Sequence, residues 1–126
     1  MNLIIDQGNT RSKIAVFEQN KLLKYDAVKQ LNNNIINVFF EKYPIKNTII
    51  SSVKDNIDVN LLKKHKILQL SHTTPLPLTI KYLTPNTLGR DRIAAVVGAK
   101  MLFKQLNVLV IDMGTCITFD FLNQNN

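Results

Sequence analysis

The chain has 126 residues, 45% apolar and 20% charged, and carries 16 Lys+Arg against 9 Asp+Glu for a net charge of +7. That length allows a core of its own, and the apolar runs are far too short to cross a bilayer, so no membrane partner is expected. The lysines are scattered apart from the run 63–66, and no basic run is interleaved with aromatics, so the excess charge reads as solvated surface and no nucleic-acid partner is expected.

The first stretch, residues 3–17, is an apolar run ending in Asp6-Gln7-Gly8-Asn9-Thr10 and followed at once by a second apolar run. The pattern is strand, tight polar loop, strand. Gly8 lets the backbone approach an anion closely. Thr10 and Lys13 add donors for phosphate, and Asp6 offers a carboxylate able to hold Mg²⁺ through water. Taken alone, the loop reads first as an ordinary hairpin turn. Residues 21–28 predict a third strand. Residues 31–43 carry Ile35, Ile36, Val38, Phe39, Phe40 and Tyr43 at near-helical spacing, with Asn available as cap and Pro44 as the stop. Residues 47–53 predict a buried strand ending in Ser51-Ser52. A brief helix at 56–64, a strand at 66–70, a loop at 71–77 and an extended piece at 78–82 follow. Residues 91–106 predict the clearest helix, with Ile93, Ala94, Val97, Met101 and Leu106 on its buried face. Residues 108–112 form a very apolar strand, and a loop at 113–118 enters a last strand through Leu122. Strands followed by helix–strand alternation define an α/β class with a mixed sheet.

The first loop has an echo. Ile4-Ile5-Asp6-Gln7-Gly8-Asn9-Thr10 returns as Val110-Ile111-Asp112-Met113-Gly114-Thr115-Cys116. Two strand–Asp-x-Gly–strand units suggest a duplicated domain whose loops grip one polyphosphate from two sides. The pair resembles the phosphate motifs of the actin, sugar-kinase and heat-shock-protein ATPase superfamily. Between the loops lies Tyr82-Leu83-Thr84-Pro85-Asn86-Thr87-Leu88-Gly89-Arg90-Asp91-Arg92. With this motif the set is similar to a type III pantothenate kinase, across the whole chain but over only about half of that family's usual length.

Physically, Pro85 to Leu88 stiffen the approach, Gly89 allows a turn, and Asp91 stands at a helix N-terminus that favours its ionised form. Such a carboxylate can accept a proton from an alcohol late in phosphoryl transfer. Arg92 can pair with a substrate carboxylate, and Tyr82 offers a flat face and a hydroxyl.

The resemblance implies an actin-like, ribonuclease H-like domain over residues 1–106 and the start of a second over 107–126. It implies that Asp6, Gln7, Gly8, Asn9, Thr10, Arg11, Ser12 and Lys13, with Thr115, hold ATP. Asp91 would be the catalytic base, and Tyr82, Gly89, Arg90, Asp91 and Arg92 would bind pantothenate. Asp112 would bind a potassium ion, and Asp6 Mg²⁺. A homodimer in the cytoplasm is expected, in keeping with a single cysteine, Cys116, and no visible signal segment. The alternatives are a regulatory accessory factor of the same lineage, of the transcriptional-activator kind, and a phosphotransferase with another acceptor. The short length makes a fragment, a truncated form or half of a two-chain enzyme the expectation, with residues 108–111 exposed. Cys116 reads as a buried filler, His65 and His72 as no zinc site, and Phe39-Phe40 as core.

Overall fold

Alternation of apolar and polar residues builds the first three strands. In a computed structural model, which describes residues 1–53 and 64–125, β1 (Asn2–Gln7), β2 (Ser12–Glu18) and β3 (Lys21–Val28) form an antiparallel meander. β4 (Asn47–Ser52) runs parallel to β1, and the short β5 (Leu68–Gln69) runs parallel to β4. The sheet is therefore mixed, in the order β3-β2-β1-β4-β5. The strand expected at 66–70 shrinks to two residues, and the helix expected at 56–64 falls almost wholly outside the described residues.

Register sets the core. Leu3 faces Val16, Ile5 faces Ile14, and Ile5 also neighbours Ile50 across the parallel pair. All five are buried, and α1 (Asn33–Lys42) adds Ile36 and Phe39 to the same cluster. Each such side chain is worth about 1.5–3 kcal/mol in removal from water. α1 begins where Asn32 Oδ1 accepts the Ile35 amide at 2.9 Å, a side-chain cap for an otherwise orphan donor. It ends at Tyr43, whose extended backbone (φ −126°, ψ 140°) is what a residue before proline adopts.

The chain divides into two compact units, Met1–Leu70 and Ser71–Asn126, whereas the sequence reading set its boundary after residue 106. In the second unit a turn of 3₁₀ helix at Pro85–Thr87 leads into α2 (Arg90–Leu102). The hairpin of β6 (Val108–Met113) and β7 (Ile117–Leu122) follows and packs on α2. Residues 78–82 lie outside any sheet. Three expectations are corrected here. α2 stops at Leu102 rather than 106, with Gln105 in left-handed backbone (φ 59°) just beyond it. Its buried positions are Ile93 and Ala99, while Ala94 and Met101 face solvent. Apolar or small residues run all round this helix, so periodicity could not choose the face. Cys116, read as a buried filler, is exposed in the β6–β7 loop.

The hairpin has two unlike faces. Thr118, Asp120 and Leu122 alternate on the more buried side. Leu109, Ile111, Met113, Ile117, Phe119 and Phe121 are all exposed, each at 51% or more. The exposure expected for residues 108–111 holds for Leu109 and Ile111. No described helix is long and apolar enough to cross a membrane.

Candidate active site

The first Asp-x-Gly loop connects β1 to β2. The amide of Gly8 donates to the Arg11 carbonyl at 3.1 Å and closes the loop. A Cβ on Gly8 would meet that same carbonyl oxygen at 3.1 Å, so the requirement for glycine here is close approach. Its φ is not positive. Asn9, Thr10 and Arg11 are exposed at the tip. Asp6 and Lys13 are register partners at its base, and Lys13 Nζ lies 3.3 Å from Asp6 Oδ2. Gln7 accepts a hydrogen bond from the Ser52 hydroxyl at 2.8 Å, which ties the loop's base to β4. Ser12 differs from the other loop residues, because its side chain is buried on the face that carries Ile14 and Val16.

The second loop repeats the construction. The Gly114 amide donates to the Cys116 carbonyl at 3.0 Å. Asp112 pairs in register with Thr118 as Asp6 pairs with Lys13. Asp112 and Thr115 are exposed. A space of about 4.0 Å separates a Gly114 Cβ from the nearest oxygen, so this loop is the looser of the two.

The middle motif folds as a helix start. Gly89 is the cap residue, Arg90 the first residue of α2, and Asp91 stands in its first turn. One Asp91 oxygen, Oδ1, accepts the Arg92 amide at 2.9 Å. This satisfies one orphan donor and holds the carboxylate at the positive end of the helix. Arg92 is gripped from two directions. Its Nε donates to Asp120 Oδ2 at 3.0 Å and its Nη2 to Asp120 Oδ1 at 2.7 Å. Its guanidinium lies 5.3 Å from the centre of the Tyr82 ring, in cation–π range. The Asp120 hydrogen bonds, opposed by partial burial, hold the guanidinium well above its already high ordinary pKa. A cavity of about 300 Å³ opens beside this group, with Leu78, Tyr82, Leu88, Arg92, Val96 and Asp120 among its lining. That volume suits a small molecule.

Tyr82, Gly89, Arg90, Asp91, Arg92, Asp112 and Thr115 thus all belong to the second unit, and residues 6–13 to the first. Arg92, Tyr82 and the cavity come together, and Asp91 adjoins Arg92 through the backbone. The sequence reading missed Asp120. A signal was available: it is an acid on the inner side of a strand whose outer positions are all apolar, and such a charge needs a partner. Among the described residues there is no group of three or more His, Cys, Asp or Glu able to hold a metal.

The α/β chain thus carries two glycine-closed Asp-x-Gly hairpins and a Gly-x-Asp-Arg run at a helix start. The family model for type III pantothenate kinase matches residues 2–126, and the chain belongs to that family. Relatives of the same name include proteins from Phocaeicola vulgatus (42% identical, 98% of this chain, 52% of the relative) and Christiangramia forsetii (42%, 99% and 54%). A further one, from Flavobacterium johnsoniae, is 39% identical over 100% of this chain and 54% of its own length. The chain therefore spans about half the length of the curated relatives it matches. Each carries a kinase name, and the accessory-factor alternative finds no support among them.

Proposed function

We propose that this chain serves a kinase that moves the γ-phosphoryl group of ATP to the primary hydroxyl of pantothenate, giving 4'-phosphopantothenate and ADP on the route to coenzyme A. The observation that carries the reading is Asp91 in the first turn of α2, beside an Arg92 fixed over Tyr82 at a small-molecule cavity.

Asp91 is the base. Its Oδ1 is engaged by the Arg92 amide, and its second oxygen takes the substrate hydroxyl proton as the new P–O bond forms and the bond to the ADP oxygen breaks. Phosphoryl transfer passes through a loose transition state, so positioning matters more than base strength. Arg92 attracts the pantothenate carboxylate. Gly89 and Arg90 bring the backbone of the α2 start to the same site.

Residues 6–13 and Thr115 hold the phosphates of ATP, with Lys13 and the exposed amides at the loop tip as donors. The single 3.3 Å contact between Lys13 and Asp6 is partly exposed and is worth little by itself, so it yields readily to a phosphate. Ser12 contributes its backbone alone, since its side chain is buried. The Asp6 oxygens fit a hard cation, and Mg²⁺ supplies charge neutralisation of the phosphates when bound. Asp112, beside Thr118, offers oxygen donors suited to K⁺.

The sheet order β3-β2-β1-β4-β5 supports an actin-like, ribonuclease H-like lineage, with the β6–β7 hairpin as the opening of a second such domain. The apolar outer face of that hairpin supports a homodimer, in the cytoplasm. The test is a coupled assay for ADP release that depends on pantothenate. Release in its presence, stimulated by K⁺ over a K⁺-free control, supports the reading. Release that ignores pantothenate overturns it.

A further inference from the structure

The two oxygens of Asp120 occupy one edge of the Arg92 guanidinium, at 3.0 and 2.7 Å. The Tyr82 ring covers one of its faces at 5.3 Å. Both members of the ion pair are largely buried, with side chains 21% and 16% exposed. A guanidinium held by one edge and one face has little freedom left. Nη2 also lies 3.5 Å from the Phe119 carbonyl, whereas Nη1 is outside the Asp120 pair, and the cavity borders Tyr82, Arg92 and Asp120 alike. A bidentate pair adds geometric specificity as well as energy. Asp120 also approaches from β7, an element separated from the helix start by the whole of α2 and β6.

We propose that Asp120 is a positioning residue: it orients Arg92 so that its Nη1 edge, and no other, receives the carboxylate of the acceptor substrate. The inference rests on the kinase reading above. It makes Asp120 a determinant of selection for acidic acceptors. Without it, Arg92 keeps its charge but loses its aim. A counter-effect exists, since Asp120 is itself an anion and competes for Arg92. The largely buried bidentate geometry makes the orienting role the larger of the two.

The experiment compares the unmodified full chain with Asp120→Ala and Asp120→Glu, using pantothenate and pantothenol, its analogue with an alcohol in place of the carboxylate. Asp120→Ala is expected to raise the KM for pantothenate roughly 10-fold, the usual scale for losing a partner that aims a binding group. The KM for ATP and kcat stay within about twofold, the KM for pantothenol barely moves, and Asp120→Glu recovers much of the loss. Three results overturn the proposal: an unchanged or lowered KM for pantothenate, an equal penalty on pantothenol, or a parallel loss in every kinetic constant. If Asp120→Ala yields no folded protein, Asp120→Asn takes its place: a selective rise in the KM for pantothenate supports the proposal, and a KM for pantothenate that matches the unmodified chain overturns it. An unmodified protein that does not use pantothenate at all overturns the kinase reading, and this inference with it.

Discussion

A methyl group on Gly89 would collide with Oδ1 of Asp91. The Gly89 backbone, at φ −56° and ψ 134°, suits any residue, so glycine is needed there for space. The atom that must give way is the end of a flexible side chain. Gly89→Ala should therefore leave stability within about 1 kcal/mol of the wild type, the stiffer chain offsetting the lost Oδ1 cap on the Arg92 amide, while turning the Asp91 carboxylate off its position. We expect kcat to fall by at least roughly 10-fold and thermal stability to hold. Wild-type kcat in that variant would mean that Asp91's present orientation is irrelevant to turnover.

The core makes a contrast available. Ile14 is wholly buried on β2, between β1 and β3, whereas Val38 is 55% exposed on α1. Ile14→Ala should cost about 2–5 kcal/mol through lost burial and a cavity. Val38→Ala should stay within about 0.5 kcal/mol. Chemical denaturation of each variant reads both numbers.

His65 stacks on Phe40, with ring centres 3.8 Å apart, and its Nε2 lies 3.1 Å from Asn37 Oδ1. Burial, and secondarily Lys64, push its pKa below the ordinary 6.5. The folded state thus binds the proton less well than the unfolded state. The stability that the neutral ring permits is fully present above pH 6.5 and is lost as pH falls below it. Between about pH 7.5 and about pH 5.5, the wild type should lose more stability than His65→Phe, which keeps the stack and cannot titrate. Equal losses in urea melts at the two pH values would remove His65 from the account.

The outer face of the β6–β7 hairpin presents Leu109, Ile111, Met113, Ile117, Phe119 and Phe121 to water. Continuous apolar surface of this kind seeks cover. Leu109→Lys with Ile117→Lys should shift the protein toward smaller species in sedimentation velocity. No shift would argue against a dimer through this face.

How much of this was legible beforehand depended on whether the signal was local. β1, β2, β3 and α1 emerge close to their expected bounds because alternation, an Asn cap and Pro44 all lie within the segments they define. The two glycine-closed loops were legible as an echo, because each carries Asp-x-Gly at the end of an apolar strand, although close backbone approach requires the glycine only at Gly8. The buried face of α2 was legible only in part: Ile93 was read as buried and is, whereas the burial of Ala99 and the exposure of Ala94 and Met101 were not foreseen. The partnership of Arg92 with Asp120 was not legible, because 28 residues separate them.

The central claim is that Asp91 takes a proton from pantothenate during phosphoryl transfer. The most direct measurement is kcat for pantothenate-dependent ADP release by Asp91→Asn, with circular dichroism to verify the fold. Loss of a general base predicts a fall of roughly 10²–10⁴-fold, with an unaltered spectrum. A folded Asp91→Asn protein that turns over pantothenate at the wild-type rate would contradict it.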